Sequence, residues 1–170
     1  MRRFVCALTL LAFIFLLCSC DSREKSCEEL LTVGVEYGIE NYRDNGYVFL
    51  KKAEQGELFF FSEKNKKTVY GERFLEVVDK SEDFAIYFSA SAPYEIAVFK
   101  SDSRNLNSEL IKMLYERADE KKIALRFTEW ERGSRDIKIS AYGKYVLFIF
   151  TDSKERNEGV EQEIYRMLKD

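Results

Sequence analysis

The run Tyr-Val-Leu-Phe-Ile-Phe at residues 145–150 (YVLFIF) is continuously apolar, β-branched and aromatic. Such a run, bounded by turn residues, predicts a central strand covered on both faces. Just before it, Asp136 to Ser140 alternates, with Ile137 and Ile139 on one side, and Gly143 stands in the connection. The two segments therefore read as a hairpin. The same arrangement occurs upstream. Phe84 to Ser89 (FAIYFS) and Tyr94 to Phe99 (YEIAVF) are strand-like, and the four residues Ala90 to Pro93 between them make an antiparallel pair. In the second of these, Tyr94, Ile96 and Val98 share a face by the period of two.

Helical periodicity separates the hairpins. Leu106, Leu110, Ile111, Leu114 and Ala118 recur at helical spacing, predicting an amphipathic helix through about Lys121. Val160, Ile164, Met167 and Leu168 line one face of a terminal helix, and Asp152 to Glu155 has capping-box spacing in front of it. Glu28 to Tyr42 begins as a helix with Leu30, Leu31, Val35 and Ile39 near one face. Asn45-Gly46 marks a turn into a strand over Tyr47 to Lys52. Leu58 to Phe61 fits either state, and Ser62 to Tyr70 reads as a short helix stopped at Gly71. Ile123, Leu125 and Phe127 alternate, so a strand is possible there. After the N-terminal helix the core order is strand, strand, helix, strand, strand, helix. That order predicts an α+β fold, an antiparallel-rich sheet with helices packed on one face.

The first residues, MRRFVCALTLLAFIFLLCSC, have a different character. Arg2 and Arg3 precede an apolar run from Phe4 to Leu17, short for a membrane span but suited to a secretory signal. Leu17-Cys18-Ser19-Cys20 resembles the lipobox of bacterial lipoproteins, although Cys18 stands where a small residue is more usual. The resemblance implies cleavage between Ser19 and Cys20 and a diacylglycerol thioether on Cys20, giving an anchor in the lipid bilayer. An uncleaved signal anchor is the other reading, and both place the domain outside the cytoplasmic membrane, on its outer face, because the flanking arginines stay inside. The expected organisation is a signal peptide at 1–19, a lipidated cysteine and tether at 20–27, and a single domain at 28–170.

The stretch from Asp83 to Phe150 resembles a domain of unknown function shared by small lipoproteins of Gram-positive bacteria. The resemblance is carried by DFAIYFSASAPYEIAVFK, a helix containing Met113 and Arg117, and IKISAYGKYVLFIFTD, with Val69-Tyr70-Gly71 upstream. It implies an extracytoplasmic lipoprotein and no catalytic residues. Relatives encoded beside membrane-bound O-acyltransferases imply, by association only, a supporting role in modifying envelope polysaccharide.

The residues themselves narrow the chemistry. The chain has no histidine, which removes the common triads and ordinary zinc sites. Cys6 and Cys18 leave with the signal and Cys20 carries lipid, so Cys27, in the polar tether, is the one remaining thiol. Loss of Arg2 and Arg3 from 27 basic against 30 acidic residues takes the net charge from −3 to about −5, no footprint for nucleic acid. Asp102 to Asn107 lacks the calcium-loop pattern and reads as the start of a helix. Glu129 and Glu131 flank Trp130, a combination seen where sugars stack, but a tryptophan tucked against the sheet with both glutamates in water accounts for it better. No catalytic residue, metal ligand or cofactor is therefore expected. Tyr87, Tyr94, Trp130, Tyr142 and Tyr145 are the candidate binding surface, against the plainer reading of tyrosines closing a core edge. Arg117 flanks the buried stripe of its helix and is read as pairing a carboxylate at the core edge, with an anionic ligand as the alternative. The functional expectation is a non-catalytic module binding an envelope protein or polysaccharide, with an accessory subunit or enzyme of polysaccharide modification as the alternative.

Overall fold

The computed structural model describes residues 24–40, 46–51, 70–89 and 92–170. The signal segment, Ser19, Cys20, Asn45, and the readings made for residues 58–61 and 62–69 lie outside the described residues. The elements are α1 (Cys27–Gly38), β1 (Gly46–Leu50), α2 (Glu72–Val78), β2 (Asp83–Ser89), β3 (Glu95–Lys100), α3 (Arg104–Ala124), a single turn α4 (Glu131–Ser134), β4 (Lys138–Tyr142), β5 (Tyr145–Phe150) and α5 (Lys154–Lys169). The five strands form one antiparallel sheet in the order β1-β2-β3-β5-β4. The chain leaves β3, travels along α3 to the far edge as β4, and returns as β5 into the gap beside β3. The fold is α+β, as the pattern of elements predicts.

The helices do not share one face. Leu30, Leu31 and Val35 of α1 and Val160 and Ile164 of α5 cover Ala85, Tyr87, Ile96, Val98, Leu147 and Ile149. On the opposite face, Phe74 and Val78 of α2 and Leu110, Met113 and Leu114 of α3 cover Phe84, Ile86, Ala97, Phe99, Phe148 and Phe150. The reason is chemical: β2, β3 and β5 carry apolar side chains in both directions, and either face left bare would expose a large hydrophobic surface. YVLFIF is accordingly buried at all six positions.

Several local expectations are corrected. Residues 122–124 continue α3, and Phe127 has a φ of 67°, so the alternation of Ile123, Leu125 and Phe127 belongs to no strand. Ile123 and Phe127 are 76% and 86% exposed. The cap of α5 is Ser153, whose hydroxyl accepts from the Arg156 N–H, and not Asp152. Gly71, at φ 75°, stands directly after helical Tyr70 and directly before α2, and α2 itself carried no recognised signal. α1 stops at Gly38, short of Tyr42.

α1 and α5 pack unusually close. A Cβ at Gly38 would lie 2.5 Å from a Val160 methyl, and one at Gly34 would lie 2.9 Å from Ile164 Cδ1. The four-residue spacing puts both glycines on one helix face. Buried Asn157 ties the sheet to α5, accepting from the Thr151 N–H at 2.7 Å and donating to the Asp136 carbonyl at 2.9 Å.

Candidate functional site

The element directions give the domain two ends. Lys100 closes β3 and pairs with Tyr145 at the start of β5, whereas Glu95 pairs with Phe150 at the opposite margin of the sheet. Glu24 forms ion pairs with Lys100, at 2.6 Å, and with Lys144. The Tyr145 hydroxyl donates to the Lys25 carbonyl at 2.7 Å. The incoming chain is thus fastened at the end that carries the β4–β5 turn. Ser26 then caps α1 through a complete capping box with Glu29. Cys27, expected in a polar tether, instead opens α1 inside the core, its N–H donating to Asp83 at 2.8 Å. Burial, followed by the Asp83 carboxylate, pushes its thiol far above the usual range, the environment of a structural rather than an activated cysteine.

At the opposite end lies a buried charge cluster. Glu95, on the α3 side of β3, is fully buried. Arg117 grips it through two 2.7 Å contacts, from Nε to Oε1 and from Nη2 to Oε2, and Lys121 approaches Oε2 to 3.1 Å. The guanidinium stacks 4.3 Å from the centre of the Tyr70 ring, and the Lys121 amine sits 5.3 Å from the centre of Phe150. Burial alone would raise the Glu95 carboxyl, but the two cations outweigh it and hold the group below its ordinary value. Tyr70 is raised well above the usual tyrosine range, first by burial and then by the Glu95 charge. A bidentate carboxylate shared by two cations is occupied, so the cluster offers no free base. It fits the ion-pair reading of Arg117, and it lies under a small cleft of about 210 Å³ whose rim mixes Arg73 with Glu116 and Glu120. Glu95 itself was legible only as a lone charge in a strand otherwise apolar on both faces.

The aromatic candidates do not form one surface. Tyr87 and Tyr145 are core residues. Tyr94 and half-buried Trp130 meet edge to face at 5.3 Å at the end remote from Glu24, while Glu131 does not simply face water: it accepts from the Phe127 N–H at 3.0 Å and pairs with Arg135. Exposed Ile123 and Phe127 belong to the same end, with the Arg126 guanidinium 5.0 Å from the Phe127 ring centre. Tyr142 lies at the other end, 4.8 Å from Tyr165, and its hydroxyl contacts Glu161 at 2.9 Å. Burial and the Glu161 hydrogen bond push Tyr142 up to about 12. A second, open cleft of about 550 Å³ lies beside this pair.

Among the described residues, no group of three or more Cys, Asp or Glu is placed to hold a metal ion, and no helix is long and apolar enough to cross a membrane. No protein-family model matches the chain, and no curated protein or solved structure is significantly similar to it.

Proposed function

We propose that the protein is a lipid-anchored extracytoplasmic lipoprotein whose domain is a non-catalytic binding module, presenting its remote end to an envelope partner. The observation that carries this reading is the polarity of the molecule. Glu24, four residues after Cys20, is fixed by Lys100 and Lys144 at one end. Phe127 stands 86% exposed at the other, beyond α3, a helix of about 31 Å at 1.5 Å per residue. An exposed phenylalanine in left-handed backbone costs about 1–3 kcal/mol and contributes nothing to the core, which favours a role outside the fold.

Mass spectrometry of the membrane-extracted protein tests the anchor: the mature chain begins at Cys20 and carries diacylglycerol. A photo-reactive residue at position 127, crosslinked in intact cells, tests the module. A reproducible adduct with an envelope protein or glycan supports the reading. An intact Met1 segment overturns the anchor, and a correctly lipidated chain that crosslinks to nothing at position 127 overturns the assignment of the binding end.

A further inference from the structure

We infer that the end of the domain bearing the β4–β5 turn and the C-terminus of α5 lies against the bilayer headgroups as a docking face. This rests on the lipid anchor proposed above and goes beyond it, because an anchor alone leaves the domain free to tumble. Glu24 is four positions after Cys20, so the lipidated residue stays within about 14 Å of the Glu24 backbone even when fully extended. Glu24 is itself paired with Lys144, in the turn between β4 and β5. The open cleft beside that turn is lined by Tyr142, Lys144, Tyr145, Tyr165, Leu168 and Lys169, together with Asp102, which pairs with Lys144 at 3.8 Å. Lys144 is held by Glu24 and Asp102, but the tyrosines and exposed Lys169 suit a membrane interface, where tyrosine rings sit at the headgroup level and a lysine extends to phosphate. The Lys169 amine lies 4.4 Å from the centre of the Tyr165 ring, an apolar body with its charge at the tip. Tyr165 is 38% exposed, and Leu168 is partly buried beside it. The occupant assigned to this face is the lipid surface, since the anchor holds it there at a high local concentration whatever else is present.

The single tryptophan provides the test, because Trp130 is at the remote end. The full lipidated chain is reconstituted into phosphatidylcholine–phosphatidylglycerol vesicles, with and without bromine on the upper acyl carbons. Wild-type emission from Trp130 is expected to be the same in both. In the double variant Tyr165→Trp/Trp130→Phe, brominated lipid is expected to cut emission at least about twofold, as an interfacial indole requires. Leu168→Trp/Trp130→Phe supplies a second reporter should the first variant fold poorly. Equal quenching of Trp130 and the proximal reporters, or none of the proximal ones, overturns the docking face while leaving the anchor intact. A chain that does not float with vesicles, or whose Cys20 carries no lipid, overturns both.

Discussion

Glu95 and Arg117 show what one buried charge requires of its neighbours. A fully desolvated carboxylate is tolerable only while both oxygens are paired, and Arg117 and Lys121 supply that pairing from α3. Arg117→Ala leaves the carboxylate buried with Lys121 alone, and is expected to cost about 3–5 kcal/mol in urea unfolding. Replacing both partners by apolar residues of similar volume, as in E95L/R117M, is expected to recover most of that loss. The pH dependence follows from the depressed folded value of Glu95. Its contribution is fully present above the unfolded value of about 4.3 and disappears as pH falls through the lower folded value. The wild-type protein should therefore be equally stable at pH 7 and pH 6 as far as this group is concerned, and lose stability below about pH 4. Glu95→Gln should flatten that acid limb in pH-dependent unfolding curves.

At the scale of elements, the loop after α3 and the contact between α1 and α5 carry opposite expectations. Phe127 has a positive φ and almost no packing, so Phe127→Gly is expected to raise stability by about 1 kcal/mol while weakening capture of any partner at this end. Calorimetry and the crosslinking assay read the two effects separately. Gly38 is the reverse case. Gly38→Val drives atoms into Val160 and is expected to cost about 1–3 kcal/mol, partly restored by Val160→Ala in the same chain. These two sites also mark where sequence patterns stop being informative. YVLFIF and FAIYFS were legible as continuous apolar runs buried on both faces, and the stripe of α3 because its burial repeats at the helical period. The segment from Ile123 to Phe127 copies a strand's alternation without burial, and only the surrounding packing decides against it. Helix α2 was missed because Phe74, Val77 and Val78 form barely one turn of pattern. Arg117 could be read as a charge beside an apolar stripe, but its partner lies 22 residues away on another element. The aromatic set was misleading for a related reason: Tyr87 and Tyr145 look like surface tyrosines until the second layer of helices is placed over them.

For the molecule as a whole, the decisive property is that the incoming segment is tied to one margin of the sheet. Glu24 and Lys25 add ion pairs and a hydrogen bond before α1 begins, so what remains between the proposed lipid on Cys20 and the domain is short. Lengthening it should uncouple anchoring from orientation. Twenty Gly/Ser residues inserted between Ser22 and Arg23 add a coil of roughly 25 Å end to end. Flotation with vesicles and the unfolding midpoint are expected to stay as in the parent. Quenching of the Tyr165→Trp reporter by brominated lipid should fall, because tethering no longer concentrates that face at the bilayer.

The pairing of α1 with α5 has a further consequence, for the timing of folding. The helix nearest the beginning of the domain finds its partner in the last helix, with the whole sheet between them in sequence. While the chain emerges from a narrow conduit with its N-terminus leading, α1 has no α5 to lie against, and β3 lacks the neighbour that β5 later supplies. Long-range closure of this kind is slow and comes late. The polypeptide therefore stays threadable until its last residues have been delivered, which suits the export that the proposed lipid anchor requires.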